Sequence, residues 1–146
     1  MTHTNIEIKK FSAEHIKGVA TVEQLCFGTP WSEIELSEEL NNKCANFYVA
    51  LHNEKVVGYV GLYVVCNEGD IARVAVLPEY RRFGIAKKLL NESFKENLDA
   101  IFLDVRESNV PAKALYKSLG FEELGVRKNY YSNPTENAVL MKKEFN

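Results

Sequence analysis

The segment from Val74 to Leu90 carries the densest chemistry in the chain. A β-rich run, Val74-Ala75-Val76-Leu77, passes through Pro78-Glu79-Tyr80 into Arg81-Arg82-Phe83-Gly84, and then into Ile85-Ala86-Lys87-Lys88-Leu89-Leu90. Ile85, Leu89, Leu90, Phe94 and Leu98 recur at helical spacing, so a strand should run almost directly into a helix. The first amides of such a helix lack carbonyl partners, and its dipole concentrates partial positive charge there. Gly84 has no Cβ to keep an anion from those amides, while Arg81, Arg82, Lys87 and Lys88 add formal charge. This arrangement suits a phosphate or diphosphate, although the same charges also fit a solvated helix start. It is not a P-loop, because no G-x-x-x-x-G-K-[ST] occurs. Nor does any G-x-G-x-x-G follow a strand. Gly58-Tyr59-Val60-Gly61 lies inside one, where glycine marks a bulge or a close backbone approach.

A second group lies downstream, in Asp104-Val105-Arg106-Glu107-Ser108-Asn109 and on to Tyr116. A carboxylate can accept a proton, and a phenol, neutral at pH 7, can donate one. Cys26, Cys44 and Cys66 offer less. None of His3, His15 and His52 stands in a motif that would give a cysteine nucleophile its base. The cysteines are odd in number, widely spaced and flanked by apolar residues, so buried free thiols are expected, with no disulfide and no metal site.

Periodicity supplies the elements that must hold these groups. Asn5 to Phe11 alternates as a short strand, and Ser12 should cap a helix whose face is Ile16, Val19, Ala20, Val22 and Leu25. Cys26 to Trp31 is a loop, and Ser32-Glu33-Ile34-Glu35 is a capping box that opens a second helix through Ile34, Leu36 and Leu40. Asn46–Leu51 and Val56–Val65 form a hairpin about His52–Lys55. Gly69-Asp70 is expected to make the next turn, into Ile71–Leu77. A helix over Gly84–Asn97, a buried strand over Ala100–Val105, and a helix over Asn109–Leu119 follow. Pro111 is tolerated in the first turn of that last helix, and Gly120 stops it. Two closing strands, near Phe121–Tyr131 and Ala138–Phe145, flank Ser132–Thr135. The order β α α β β β α β α β β implies an α/β fold: a central, mixed but mostly antiparallel sheet of about six or seven strands, with about four helices on both faces.

At 146 residues with no linker or repeat, the chain suits a single domain over residues 1–146. Its 18 Lys+Arg against 20 Asp+Glu give a net charge of −2, which removes the basic excess expected of a nucleic-acid binder. No apolar stretch approaches the ~20 residues of a membrane span. Met1-Thr2-His3-Thr4-Asn5 has neither the charge nor the apolar run of a secretion signal, so a cytoplasmic protein is expected.

Arg81-Arg82-Phe83-Gly84-Ile85-Ala86 resembles the Q/R-x-x-G-x-G/A pyrophosphate loop of the GCN5-related N-acetyltransferases (GNAT), with Ala86 where Gly is commoner. The element order resembles that fold from end to end. The resemblance implies acetyl-CoA as co-substrate. Its pyrophosphate would sit on the loop spanning Arg81, Arg82, Phe83, Gly84, Ile85, Ala86 and Lys87, and its pantetheine arm would pair with the backbone of Val74, Ala75 and Val76. Asn109 to Phe121 is similar to the family's N-x-x-A-x-x-x-Y-x-x-x-G-F segment. That likeness makes Asn109 a pantetheine contact and Tyr116 the acid that protonates the leaving thiolate. Asn109 is equally placed to cap its own helix.

Three stretches carry a closer likeness, to the branch that acetylates the amino-terminal alanine of a ribosomal protein: Phe27 to Ser32, Leu103 to Asn109, and Arg127-Lys128-Asn129-Tyr130-Tyr131 with Ala138 and Met141. The branch's base is a Glu in L-E-V-R. Here Asp104 stands there, one methylene shorter, with Glu107 in reserve, and a water could bridge the gap. Asp104 would otherwise pair with Arg106 or Arg127. Phe27, Trp31, Tyr130 and Tyr131 are implied walls of the acceptor groove. A loop Trp also serves as a packing anchor, and adjacent Tyr residues on a strand face opposite sides, so at most one would line a groove. Asn137 stands where Asp is usual. The implied partner is a protein amino terminus, probed by a monomer or weak homodimer without nucleic-acid or membrane contact.

Overall fold

The computed structural model describes residues 5–145; the Met1–Thr4 opening and His3 lie outside them. Seven strands form one sheet in the order β1-β2-β3-β4-β5-β7-β6. In chain order the elements are β1 (Ile6–Lys10), α1 (Ile16–Cys26), α2 (Glu33–Glu39), β2 (Ala45–His52), β3 (Lys55–Val65), β4 (Glu68–Val76), α3 (Ile85–Ser93), β5 (Ala100–Arg106), α4 (Val110–Ser118), β6 (Glu122–Tyr131) and β7 (Glu136–Glu144). Every pairing is antiparallel except β4 with β5. The mixed α/β architecture matches the order of elements that periodicity implies. No helix among the described residues is long and apolar enough to cross a membrane.

Alternation along β2 and β3 divides the core between two faces. Phe47 and Tyr59 point to the α1 side, where the Tyr59 hydroxyl bonds Glu23 and Trp31 stacks on Phe47 with ring centroids 6.1 Å apart. Their neighbour Tyr48 points the other way and bonds Glu96, just beyond α3. Val19 and Val22 of α1 are sealed against one face, and Leu89 and Leu90 of α3 against the other. The capping box at α2 forms as its spacing predicts, with Glu35 N–H donating to Ser32 Oγ at 3.1 Å and Ser32 N–H to Glu35 Oε1 at 3.1 Å.

Three local expectations are corrected. The turn before β4 is Cys66-Asn67, both in the left-handed region (φ 51° and 64°), and Gly69-Asp70 belongs to the strand. Gly69 is required there by packing: a Cβ would lie 2.9 Å from Leu62 Cδ1 and 3.1 Å from Ile101 Cγ1. That turn position leaves Cys66 exposed, whereas Cys26 and Cys44 are half-buried; all three are free thiols. Ser12 caps a single 3₁₀ turn, Ala13–His15, before α1 begins.

Candidate active site

β4 and β5 are paired only from Glu68–Ile71 to Ala100–Leu103. Beyond that point β4 runs on to Val76 and β5 to Arg106 with no ladder between them. A bulge marks the parting. Gly61 faces Arg73 and Leu62 faces Ile71, so Ala72 is a surplus residue on β4. A bulge bends its strand and increases local twist. The resulting wedge is an open cleft with two lobes, of ≈ 760 and ≈ 740 Å³, which share Cys26, Phe27, Val74, Asn109, Ala112 and Tyr116. Helix α4 lies over it. None of its residues is fully buried, because its apolar side, Ala112, Leu115 and Tyr116, lines the cleft.

The lobe on the α3 side contains Val74, Ala75, Val76, Arg81, Arg82, Gly84, Ile85, Ala86 and Lys87. The first bond of the α3 ladder runs from Lys88 N–H to Gly84 O, leaving the amides of Ile85, Ala86 and Lys87 outside it. Arg82 and Gly84 both take left-handed backbone (φ 70° and 75°), an alternation that forms an anion-binding concavity. A Cβ built on Gly84 would meet nothing within 4 Å, so the space above these amides is open. Phe83 is exposed beside them, at 46%. Arg81 lines the lobe with its guanidinium already engaged. Its Nε donates to Val76 O at 3.0 Å, and its guanidinium lies 3.7 Å from Cys26 Sγ, so it ties the loop back to the strand end. A diphosphate fits the amides, and the unladdered edge of Val74–Val76 fits an extended amide-bearing arm.

The lobe on the β5 side is more polar. Tyr116 sits where the two lobes meet, with its ring edge-on to Phe121 at 5.7 Å. Burial, and secondarily Tyr131, push its hydroxyl up to about 12, so it remains a proton donor across the neutral range. Asn109 caps α4, its Oδ1 accepting from Ala112 N–H at 3.2 Å, and lines both lobes. Gly120 (φ 97°) and the Phe121 N–H to Tyr116 O bond close the helix at the other end. Asp104, in the β5-side lobe, accepts from Arg127 Nε at 3.0 Å; Arg106 does not pair with it. Burial, then the Asp104 charge, raise the nearby Asp70 carboxyl above its ordinary value. The Tyr131 hydroxyl is also pushed up to about 12, by burial first and then by Asp104. Asp104, Tyr116 and Tyr131 therefore share one electrostatic environment. Glu107 lines neither lobe, and only its backbone N–H is engaged, by Asn137 O at 3.0 Å.

The aromatic candidates separate. Phe27 and Tyr131 line the cleft, whereas Trp31 and Tyr130 do not. Trp31 is held against Phe47 and under the Arg73 guanidinium, 4.8 Å from its ring. Tyr130 and Tyr131 do not face opposite sides: their rings meet edge-on at 5.0 Å and 88°. Strand alternation is broken because Lys128–Tyr130 bulge out opposite the single residue Asn137, whose Oδ1 accepts the Asn129 N–H at 3.0 Å.

Glu23, Arg73 and Glu136 stand in no motif, and Arg106 takes a partner other than the expected Asp104. Glu23 is fully buried, accepting from the Trp31 N–H at 2.7 Å and the Tyr59 hydroxyl, with Arg73 at 3.4 Å. Arg106 and Glu136 are the other pair, 3.2 Å apart. A charged residue in the apolar face of α1 was the available signal for Glu23. Nothing local marked the others.

Residues 16–121 match the model of the Acetyltransferase (GNAT) family. The chain belongs to the GNAT family. Over 126 residues it is 35% identical to the [ribosomal protein bS18]-alanine N-acetyltransferase of Escherichia coli, covering 82% of this chain and 84% of that one. It is 39% identical over 121 residues to an N-alpha-acetyltransferase of Saccharolobus solfataricus, covering 71% and 72%. The crystal structure of the E. coli ribosomal-protein-S18-alanine enzyme superposes with a TM-score of 0.87 at 29% identity, over 95% of this chain and 93% of that one. This GNAT protein is thus an N-acetyltransferase, similar to enzymes named for a ribosomal protein's alanine and to one named N-alpha-acetyltransferase.

Proposed function

We propose that this acetyltransferase moves the acetyl group of acetyl-CoA onto the α-amine of a protein's first residue, an alanine of a ribosomal protein. The observation that carries this reading is the wedge itself: a continuous cleft from the bare amides of α3, along Val74–Val76, to Asp104 and Tyr116. The named activities of the relatives support the acceptor.

The diphosphate would rest on the Ile85, Ala86 and Lys87 amides, with Arg82 and Lys87 adding charge. The pantetheine arm would take the unladdered strand edge short of the Val76 carbonyl that Arg81 holds, and Asn109 would bond it. An α-amine has a pKa of about 7.7–8.0, so much of it is protonated at pH 7 and must lose a proton to attack. Asp104, directly or through one water, accepts that proton. The amine nitrogen then bonds the thioester carbonyl carbon as the C–S bond breaks, the Tyr116 hydroxyl gives its proton to the departing sulfur, and the surplus proton on the new amide nitrogen leaves through water to restore the phenol. The half-buried thiol of Cys26 is raised above its ordinary value by burial, which disfavours the thiolate needed for an acyl-enzyme route.

A thiol-release assay with acetyl-CoA and an Ala-initiated peptide tests the proposal. Release is expected, and should vanish when the α-amine is blocked. Release with small amines or Lys side chains only would move the acceptor elsewhere. Coenzyme binding with no release over any acceptor would make the chain a binding module.

A further inference from the structure

Two arginines stand on the strands that border the wedge, Arg73 on β4 and Arg106 on β5, and they make the same set of contacts. Arg73 donates to the Thr29 carbonyl at 3.2 Å, lies 4.1 Å from the Phe27 ring centroid and pairs with Glu23 at 3.4 Å. Arg106 donates to the Ser132 and Pro134 carbonyls at 3.0 Å each, lies 4.5 Å from the Tyr131 ring centroid and pairs with Glu136 at 3.2 Å. Glu136 also accepts the Ser108 N–H at 2.7 Å, tying the clamp to the turn that starts α4. Each arginine thus fastens one irregular loop by backbone carbonyl, aromatic face and carboxylate together. Those two loops, around Phe27–Thr29 and Tyr131–Asn133, both line the β5-side lobe. A guanidinium's planar set of five donors holds several acceptors in one fixed geometry, which an ammonium cannot do.

We propose that Arg73 and Arg106 are paired positioning residues that fix the separation of the two acceptor-side loops and so discriminate the size of the acceptor's first side chain. This rests on the amino-terminal acceptor reading above. Neither arginine needs to touch the reacting atoms. Rigid walls reject a larger side chain by denying it space, whereas loosened walls lose that discrimination together with affinity for the small one.

The test compares the wild type with Arg106→Met, and with a Glu23→Gln/Arg73→Met double variant that avoids stranding a buried charge. Ala-initiated and Leu-initiated peptides are assayed, and acetyl-CoA binding is measured by calorimetry. Each variant should raise the Ala-peptide KM about tenfold, lower the Ala-over-Leu ratio of kcat/KM by about as much, and leave the acetyl-CoA Kd within about twofold. Arg106→Lys, which keeps the charge but not the fork, should shift the ratio in the same direction by less. An Ala-over-Leu ratio unchanged in well-folded variants, or a loss confined to acetyl-CoA binding, overturns the proposal. A wild type that acetylates neither peptide overturns the acceptor reading instead.

Discussion

The two lobes of the cleft are built from different materials. On the α3 side the working groups are backbone: three amides at a helix start, left-handed turns at Arg82 and Gly84, and the open edge of Val74–Val76. On the β5 side they are side chains held by other side chains: Asp104 by Arg127, and the flanking loops by Arg73 and Arg106. Backbone donors are present whatever the neighbouring side chains, so the first lobe suits a ligand whose recognition does not depend on side-chain identity. A lobe made of side chains can be retuned one residue at a time, which suits an acceptor that differs between relatives.

The sharpest way to break this contrast is at the chemistry. Tyr116→Phe should lower kcat by about 10²-fold while acetyl-CoA affinity holds, since it removes a proton without removing the ring. Unchanged turnover would take Tyr116 out of the reaction. Asp104→Asn should cost a similar factor of about 10² at pH 6 and less at pH 8.5, where more of the α-amine is already neutral. A rate ratio independent of pH would pass the base role to another group.

Trp31→Ala tests whether that ring belongs to the packing or the groove. Packed on Phe47 and beneath Arg73, it should lower stability by about 2 kcal/mol in urea titration, and raise the peptide KM only indirectly. A KM effect with full stability would return it to the groove wall. Gly84→Val should weaken acetyl-CoA binding by about tenfold, because a β-branched residue resists φ 75° and its side chain would fill the open space over the amides. Peptide KM should hardly move, and an unaltered coenzyme affinity would contradict the cradle.

The smallest effect expected is at Glu136. The Ser108 hydrogen bond first, then Arg106, hold its carboxyl below the ordinary 4.5. A depressed carboxylate contributes its stability above the unfolded value and loses it as pH falls through the lower folded one. The clamp should therefore stay charged over the whole working range. Wild type and Glu136→Gln should differ slightly in urea midpoint at pH 7, and the difference should shrink as pH falls through the lowered folded value. A difference that instead grows on acidification would mean the carboxylate is not stabilised by these partners.

The same contrast explains what the sequence made legible. Element order, the β4-to-α3 junction and the Asn109 cap followed from period and local spacing, while the cradle and Tyr116 were singled out by the family resemblance, because each depends on residues close together in the chain. Glu23 with Arg73, and Arg106 with Glu136, join residues 50 and 30 positions apart, and no local spacing announces them. Tyr130 and Tyr131 misled simple alternation because the three-residue bulge, pinned by Asn137, ends on Tyr130 itself. Gly69 misled in the opposite sense: a glycine that looked like a turn is a strand residue with Leu62 and Ile101 crowded over it.

Ala72 has a consequence larger than its size. Asp70 lies opposite Tyr63 and Arg73 opposite Gly61, so both emerge on the α1 side of the sheet although three positions separate them. An odd spacing can share a face only because one amino acid is uncounted by the neighbouring strand. Excising that alanine would flatten the bulge yet keep residues 70 and 73 on one face. Enrolling it in the ladder instead would invert everything downstream, sending the guanidinium of residue 73 through to the α3 side and leaving the carboxylate in α1 entombed without a counter-charge.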